Sequence, residues 1–137
     1  MMATTTKEKS LQDYSILIAD DDTGSRETLR EIMEPQGYQT LLAASGEEAI
    51  DIVRGHAIHL LLLDMHMGAL SGLDTLELLR QLGAALPAIL VTGDPSEQVL
   101  RQAHQAHVYS VIPKPVNKNI VLYTVVKALS RFYGRSA

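Results

Sequence analysis

The segment SILIADDDTGSRETL, residues 15–29, passes from four apolar residues directly to three consecutive aspartates and then to a helical pattern. An apolar run without polar alternation predicts a strand that is buried on both faces, as in a parallel sheet. Two carboxylates about 4 Å apart repel each other by roughly 4 kcal/mol at an effective dielectric near 20. Asp20, Asp21 and Asp22 therefore either spread into water or surround something positive.

Apolar runs of this kind occur five times along the chain. They are SILIA (15–19), YQTLLA (38–43), IHLLLL (58–63), PAILVT (87–92) and VYSVI (108–112). Segments with helical patterns separate them, so strand and helix alternate. Five such units predict a doubly wound, flavodoxin-like α/β domain. Its five-stranded parallel sheet would have the order 2-1-3-4-5, with helices on both faces.

Several helical segments begin with residues that favour helix starts. Ser45 and Glu48 have the spacing of a capping box and predict that a helix over residues 46–55 begins there. Ser71 precedes a third helix. The expected cap, first position and third residue of the next helix are Asp94, Pro95 and Glu97.

Apolar side chains recur on one side of two of these helices, as expected for helices packed on a sheet. In the helix after Ser71 they are Leu73, Leu76, Leu79 and Leu82. In the last helix, about residues 117–133, they are Val121, Val125, Ala128, Leu129 and Phe132. We expect both sets to face the core.

The composition limits the class of protein. The chain has 137 residues, is 46% hydrophobic, carries a formal charge of −4 and contains no cysteine. These values fit one domain, assigned to residues 14–134 without an output domain, and exclude disulfides and cysteine nucleophiles. Residues 1–13 are polar and predict a flexible tail, not a signal peptide, and no apolar run could span a bilayer. We expect a cytoplasmic protein without membrane or direct nucleic-acid binding.

Polar residues stand at or just past the carboxyl ends of four of the five predicted strands. Asp20 and Asp21 follow the first strand, Asp64 follows the third, Thr92 is the last residue of the fourth, and Lys114 lies just past the fifth. Ligands of open parallel sheets bind outside the carboxyl ends of the strands, where the strand order reverses. The sequence therefore predicts one pocket in which the aspartates converge, with the threonine and the lysine on its far side.

The oxygen-rich composition of this pocket favours a divalent cation. Oxygen ligands suit Mg²⁺, which often shares its coordination shell with a phosphate. Three carboxylates and one ammonium sum to −2, so Mg²⁺ would neutralise the site, and an acyl phosphate of about −2 would return it to about −1. The pocket could thus carry a phosphoryl group on a carboxylate. Asp22 is assigned to solvent or to the start of the first helix.

Four motifs resemble those of the receiver domains of two-component response regulators. They are ILIADDD, LLLLDMHMGALSG, LVTGD and VIPKP, and the resemblance covers about residues 14–134. It implies a stand-alone, chemotaxis-type receiver that is not an enzyme beyond its own phosphoryl transfer and autodephosphorylation. It also implies that Asp64 accepts a phosphoryl group from a sensor histidine kinase or a histidine phosphotransfer protein.

The same resemblance implies roles for the other site residues. The implied Mg²⁺ ligands are Asp20 (directly or through water), Asp21, Asp64 and His66, the last through its backbone carbonyl. Thr92 would hydrogen-bond a phosphoryl oxygen, Lys114 would pair with the phosphoryl group, and a cis peptide would precede Pro115. A downstream target protein would be contacted through helix 4, strand 5 and helix 5, and homodimer formation stays open.

Some positions depart from the family pattern. Gly68 stands where a proline is usual, so the loop after the acceptor should be more flexible. Val111 replaces the usual aromatic residue three positions before the lysine, and Tyr109 is the nearest aromatic. His66 and Asp94, two positions after the acceptor and the threonine, are expected to set the phosphoryl lifetime, with His66 either bonding the phosphoryl group or facing solvent.

Two other functions match parts of the pattern. A haloacid-dehalogenase-like phosphatase also uses an aspartate, Mg²⁺, a threonine and a lysine, but it needs a later acidic pair, and no acid follows Glu97. A receiver-like binding module that is not phosphorylated is the second alternative, favoured by Val111 and Gly68. A P-loop nucleotidase is excluded because its glycine-rich motif is missing. The remaining histidines are assigned no role: His56, His59, His104 and His107.

The last part of the chain is basic. Residues 114–135 carry five Lys or Arg and no acid. This pattern fits either a surface for an acidic partner or a solvated helix face.

Overall fold

Five strands and five α-helices alternate along residues 14–134, the part of the chain that the computed structural model describes. The strands are β1 (Ser15–Ala19), β2 (Gln39–Ala43), β3 (Leu60–Leu63), β4 (Ala88–Thr92) and β5 (Ser110–Pro113). The helices are α1 (Thr23–Met33), α2 (Gly46–Gly55), α3 (Gly72–Gln81), α4 (Glu97–Gln105) and α5 (Lys118–Tyr133). Each strand lies within two residues of its predicted bounds. The predicted tail, residues 1–13, lies outside the described residues.

All strand pairs in this sheet are parallel, and their order is β2-β1-β3-β4-β5. The predicted fold class is thereby confirmed. The strand order reverses at β1, because β2 lies on one side of it and β3 on the other. The carboxyl ends of β1 and β3 are therefore neighbours at the point where ligands of this architecture bind.

The sheet is buried on both faces, which explains the unbroken apolar runs. Alternate residues of β1 point to opposite faces, so Ile16 and Ile18 join one apolar cluster while Leu17 and Ala19 join the other. The first cluster includes residues of α1 and α5, and the second includes residues of α2, α3 and α4. Every residue of β3 and β4 is buried. The core thus fixes the positions of the strand ends.

The start of α4 differs from the prediction. Ser96 caps this helix, because its side chain accepts a hydrogen bond from the backbone N–H of Val99, and Glu97 is the first helical residue. Asp94 is not the cap. Its backbone N–H donates to the hydroxyl of Thr92 at 3.0 Å and its carboxylate contacts another loop, so it lies before the helix.

The capping box predicted at α2 is only half formed. The Ser45 hydroxyl accepts from the backbone N–H of Glu48 at 3.1 Å, but the Glu48 carboxylate accepts from Ala44 at 2.6 Å instead of from Ser45. A complete box is found at α3, where Ser71 and Asp74 exchange both hydrogen bonds. The shorter aspartate performs at α3 the function expected of the glutamate at α2.

Two apolar side chains predicted to face the core are exposed instead. Leu82 is 55% exposed and Phe132 is 50% exposed. Leu82 follows the last residue of α3, so it has left the helical face to which Leu76 and Leu79 contribute. No residue of α5 after Leu129 is buried, so the last turn of α5 extends beyond the core. Among residues 14–134, no helix combines the length and apolarity needed to cross a bilayer.

Candidate functional site

Three carboxylates converge at the carboxyl ends of β1 and β3. One oxygen from each of Asp20, Asp21 and Asp64 lies within 4.8 Å of the others. Backbone bonds that continue the sheet position two of them. The N–H of Asp20 donates to Ala43 at 3.0 Å and that of Asp64 donates to Ala19 at 2.9 Å. The sequence prediction that these aspartates share one pocket therefore agrees with the geometry.

Lys114 brings a positive charge to the same pocket. Its ammonium lies 2.7 Å from one oxygen of Asp20 and 3.6 Å from one oxygen of Asp64. Its backbone N–H donates to the carbonyl of Thr92 at 2.9 Å, and the peptide bond to Pro115 is cis, as the resemblance implied. Lys114 thus lies closer to Asp20, which follows β1, than to Asp64, which follows β3.

The ionisation of the site reflects burial and crowding. Burial raises the pKa of Asp64 above its ordinary value, and the neighbouring charge of Asp20 raises it further, whereas Lys114 lowers it in part. For Lys114, burial lowers the pKa, but its hydrogen bond to Asp20 and the two neighbouring carboxylates outweigh burial, so the net pKa is raised. An ionised Asp64 is therefore held in a site that disfavours its charge.

Thr92 lies at the end of β4 and is fully buried. Its hydroxyl oxygen accepts a hydrogen bond from the backbone N–H of Asp94 at 3.0 Å. Within residues 14–134, no hydrogen bond joins the Thr92 hydroxyl to Asp64 or Lys114; only the Thr92 carbonyl is bonded to Lys114, through the backbone. The structure thus places Thr92 at the expected strand end, with its hydroxyl engaged by the loop that leads to α4.

A contact between two loops crosses the exposed side of the site. Nε2 of His66, in the loop after β3, lies 3.0 Å from a carboxylate oxygen of Asp94, in the loop after β4. Both side chains are largely exposed, at 63% and 49%. The pairing of these two residues was not predicted, because they are 28 positions apart in the chain.

Asp22 starts the first helix, in agreement with its interpretation. Its carboxylate accepts from the backbone N–H of Ser25 at 2.8 Å and caps α1. The hydrogen bonds from Ser25 lower the pKa of Asp22. The third aspartate of the opening segment is thus bound to a helix terminus and does not belong to the acidic cluster, which explains how three adjacent acids are tolerated.

Two residues support the site through contacts that the sequence did not predict. The guanidinium of Arg26 donates to the backbone carbonyl of Asp20 at 2.7 Å. Gly72, at the start of α3, packs against the backbone of Asp64, and a Cβ atom there would lie 3.0 Å from the carbonyl carbon of Asp64 and closer still to its oxygen. No signal in the sequence points to Arg26, whereas Gly72 is the last residue of the second motif, LLLLDMHMGALSG.

One histidine to which no role was assigned has a structural role. Nδ1 of His59 accepts from the backbone N–H of Ser15 at 3.0 Å, and the hydroxyl of Tyr133 donates to the His59 carbonyl at 2.6 Å. The His59 ring also contacts the rings of Tyr14 and Tyr133. His59 therefore links the start of β1 to the end of α5, at the opposite end of β1 from the acidic cluster.

The positions that depart from the motifs are accommodated by the fold. Gly68 adopts a φ of 93°, which the fixed ring of a proline does not allow. Val111 is half-buried and packs against the core cluster of α2, α3 and α4, while Tyr109 is 37% exposed. No aromatic residue of β5 is therefore buried beside Thr92.

The family model for the response regulator receiver domain matches residues 16–126. The chain belongs to the response regulator receiver family. The receiver domain is similar to the transcriptional regulatory protein CpxR of Escherichia coli K12, with 36% identity over 118 residues that cover 85% of this chain and 49% of CpxR. It is also similar to YvrH of Bacillus subtilis 168, with 31% identity over 124 residues, 90% of this chain and 52% of YvrH. The chain thus spans about half the length of these curated relatives.

Solved structures of receivers share the fold of this receiver domain. A CheY-like receiver domain protein from Methanospirillum hungatei superimposes with a TM-score of 0.81 at 29% identity, covering 86% of this chain and 94% of that one. A Borrelia burgdorferi structure, described as a CheX–CheY complex with beryllofluoride and magnesium, gives a TM-score of 0.78 at 25% identity. It covers 83% of this chain and 87% of that one. The predicted family is therefore confirmed.

The raised pKa of Asp64 predicts that its charge destabilises the metal-free receiver domain at neutral pH. A carboxyl group whose pKa is higher in the folded state contributes stability below its unfolded pKa and loses it as the pH rises through the folded value. We expect Asp64→Asn, which has no charge to lose, to unfold at a higher temperature than wild type at pH 7. The difference should shrink below the ordinary pKa of 3.8. Thermal unfolding without divalent cations measures both.

Asp51→Asn is the matched control for this comparison, because Asp51 is exposed on α2. It should change the unfolding temperature little at either pH. An Asp64→Asn variant that is no more stable than wild type at pH 7 would contradict the predicted electrostatic cost.

Proposed function

We propose that this receiver domain, residues 14–134, accepts a phosphoryl group on Asp64 and signals by phosphorylation-dependent contact with other proteins in the cytoplasm. The phosphodonor is the phosphohistidine of a sensor histidine kinase or of a histidine phosphotransfer protein. The observation that carries this proposal is the cluster of Asp20, Asp21 and Asp64 with Lys114, whose ammonium lies within 3.6 Å of the acceptor. Family membership favours this function over the phosphatase alternative.

The donor set of the site fits Mg²⁺. It consists of carboxylate oxygens with a net formal charge of −2 after Lys114 is counted. Burial and the neighbouring charge of Asp20 raise the pKa of Asp64, so a cation bound there would favour its ionised form. Asp21 and Asp64 would hold the ion through side chains, His66 through its backbone carbonyl, and Asp20 directly or through water. When bound, Mg²⁺ supplies positive charge against the oxygens of the transferring phosphoryl group.

The chemical step requires little of the protein beyond positioning and charge. A carboxylate oxygen of Asp64 forms a bond to phosphorus while the bond between phosphorus and the donor histidine nitrogen breaks. The nitrogen keeps the electron pair, and because the donor ring carries a proton on its other nitrogen, it leaves as neutral imidazole. Lys114 moves its charge from Asp20 toward the new phosphoryl oxygens, and the hydroxyl of Thr92 donates to one of them. The covalent product stays on the protein, so the receiver turns over no separate substrate.

Incubation with acetyl phosphate and Mg²⁺ tests the proposal. We expect a base-labile adduct of one phosphoryl group in the intact mass of the chain, and a beryllofluoride adduct under the corresponding conditions. Failure of both adducts to form, together with absent Mg²⁺ binding, would favour the alternative of a binding module that works without phosphorylation. Val111 and Gly68 are the features that favour this alternative, because the usual aromatic residue and the usual proline are missing at these positions.

Magnesium should stabilise the receiver domain through Asp21 and not through Asp22. A ligand that binds only the folded state raises its stability, so Mg²⁺ should raise the unfolding temperature of wild type. Asp21→Asn removes one oxygen ligand and one charge and should abolish most of this increase. Titration of Mg²⁺ followed by thermal unfolding measures the effect.

Asp22→Asn is the control, because it removes the same charge one position further along. Asparagine caps helices as well as aspartate does, so α1 should keep its start. This variant should keep most of the Mg²⁺-dependent increase. Equal losses in both variants would mean that the ion responds to the general charge of the segment and not to a coordination site.

The contact between His66 and Asp94 predicts a longer phosphoryl lifetime. Because it joins the loop that follows the acceptor to the loop after β4, we expect it to limit the approach of water to the acyl phosphate from that side. An exposed pair of this kind contributes up to about 1 kcal/mol, so His66→Ala should shorten the lifetime by up to about fivefold. Loss of the adduct from chain phosphorylated by acetyl phosphate measures the rate.

A double variant, measured in the same lifetime assay, is the control for this prediction. If the pair acts as a unit, His66→Ala combined with Asp94→Ala should lose phosphate no faster than either single variant. Additive acceleration would show that the two side chains act separately, and an unchanged lifetime would contradict a role for the contact.

The target contact is proposed for the face formed by α4, β5 and α5. Four large apolar side chains are exposed on α4 and α5, and a fifth, Tyr109, is exposed directly before β5; no helix of residues 14–134 covers them. The four are Leu100, Ile120, Tyr123 and Val126. A homodimer through this face would be a second form of the same contact.

A further inference from the structure

Three apolar side chains form an exposed stripe on α5, which we name the α5 stripe: Ile120, Tyr123 and Val126. They are 54%, 66% and 48% exposed. Their spacing of three residues places them on adjacent positions of one side of the helix, away from the buried Val121 and Val125. Large apolar side chains that cluster on a surface mark interaction sites more often than scattered ones do.

The charged residues of α5 itself are all positive. Lys118, Lys127 and Arg131 lie on the same helix and are exposed. No carboxylate of residues 14–134 lies within 4.0 Å of any of them. No Asp or Glu occurs between residues 114 and 134, although the whole chain carries a charge of −4. The positive charge of α5 is therefore unpaired locally.

One of these cations borders the apolar surface directly. The ammonium of Lys127 lies 5.6 Å from the centre of the Tyr123 ring, within range of a cation–π contact. Lys127 and Arg131 are four residues apart and so follow one another along one side of α5. The surface thus consists of an apolar strip with a cationic margin.

We propose that the α5 stripe and its cationic margin bind an acidic amphipathic helix of a partner protein. Such a helix offers apolar side chains to Ile120, Tyr123 and Val126 and carboxylates to Lys127 and Arg131. A second copy of this chain fits less well, because a symmetric pairing of α5 with α5 would bring like charges together. A nucleic acid offers nothing to an apolar strip of this kind.

The inference rests on the proposed function, since it names the chemistry of the partner that the receiver contacts. The covalent path from the site to this surface is short. Lys114 is followed by Pro115 and Val116, and Asn117 caps α5 by accepting from the backbone N–H of Ile120 at 3.1 Å. A movement of Lys114 from Asp20 to a phosphoryl group therefore acts on the segment that sets the start of α5.

Selection from a displayed library of random 16-residue peptides, with the full chain as bait, tests the inference. We expect enriched peptides to carry net negative charge and apolar residues at helical spacing. A synthetic peptide of the enriched sequence should bind at least about fivefold more weakly to Lys127→Glu, and also to Tyr123→Ser, than to wild type. Fluorescence anisotropy of the labelled peptide gives these affinities.

Matched variants on other helices serve as controls. Arg54→Glu makes the same type of charge reversal at an exposed residue of α2, and Leu82→Ser removes an exposed leucine beyond α3. Both should bind the peptide as wild type does. If Arg54→Glu weakened peptide binding as much as Lys127→Glu does, the loss of affinity would reflect the overall charge of the chain, and the inference would be overturned.

Two further outcomes would overturn it. The first is that the enriched peptides show no excess of acidic residues. The second is that no acidic peptide binds, whereas the unphosphorylated chain binds vesicles of anionic lipid and Lys127→Glu abolishes this binding. Running the assay with and without beryllofluoride and Mg²⁺ separates the two proposals. Acidic peptide binding without any adduct refutes phosphorylation alone, and an adduct without acidic peptide binding refutes the docking surface alone.

Discussion

We expect the replacement of Asp64 with asparagine to abolish the phosphoryl adduct that acetyl phosphate and Mg²⁺ should form on this chain. Asparagine keeps the size of the side chain but lacks the nucleophilic carboxylate, so no acyl phosphate can form at this position. The expected loss is complete and not partial, because Asp20, the other buried carboxylate of the cluster, already binds Lys114 at 2.7 Å through one oxygen and the backbone N–H of Asp22 at 2.9 Å through the other. Intact mass measurement after incubation detects the adduct directly.

Two controls make this prediction specific. Asp51→Asn, on the exposed side of α2, should be phosphorylated like wild type. The Asp64→Asn variant is expected to be at least as stable as wild type at pH 7, so a missing adduct cannot be ascribed to unfolding. A base-labile adduct of unchanged yield on Asp64→Asn would move the acceptor to another residue, and Asp20 and Asp21 would then be the positions to replace.

Replacing Gly72 with alanine should destabilise the receiver domain by about 3 kcal/mol, at the upper end of the range for overpacked positions. The added Cβ would lie 3.0 Å from the carbonyl carbon of Asp64 and closer to its oxygen. These are backbone atoms, which cannot rotate away as a flexible side chain can. The Gly72 N–H also donates to the carbonyl of Met65 at 2.9 Å, so α3 cannot retreat without losing that bond. Urea unfolding measures the change.

Gly55→Ala is the matched control, since a Cβ at Gly55 would meet nothing within 4 Å. This glycine is the last residue of α2, and alanine favours helices more than glycine does, so the control should be as stable as wild type or slightly more stable. Because the Gly72 clash falls on the acceptor's own backbone, Gly72→Ala should also slow phosphorylation under conditions where the variant is still folded. A Gly72→Ala variant as stable as Gly55→Ala would contradict the predicted clash and show that the backbone after β3 shifts at little cost in stability.

The sequence was sufficient to predict the sheet and the position of the site. SILIA and the four other apolar runs predict buried parallel strands because only a sheet covered on both faces accommodates such runs. Once the strands are parallel, their carboxyl ends lie at one edge. Asp20, Asp64 and Thr92, which end or follow those strands, must then be near one another, although Thr92 is bonded to the next loop. The apolar runs and the geometry of a parallel sheet are therefore sufficient to predict where these polar residues meet.

Only the tertiary structure decided which partner each polar group takes. Ser96 caps α4 because Asp94 is engaged by Thr92 and His66, a competition that the local sequence does not show. The preference of Lys114 for Asp20 over Asp64 depends on differences of about an ångström between strands far apart in the chain. The contact of Arg26 with the Asp20 carbonyl and the close packing of Gly72 on the Asp64 backbone are of the same kind. Periodicity reports which face of an element is buried, whereas the choice among neighbouring hydrogen-bond partners depends on distances that exist only after the elements have packed.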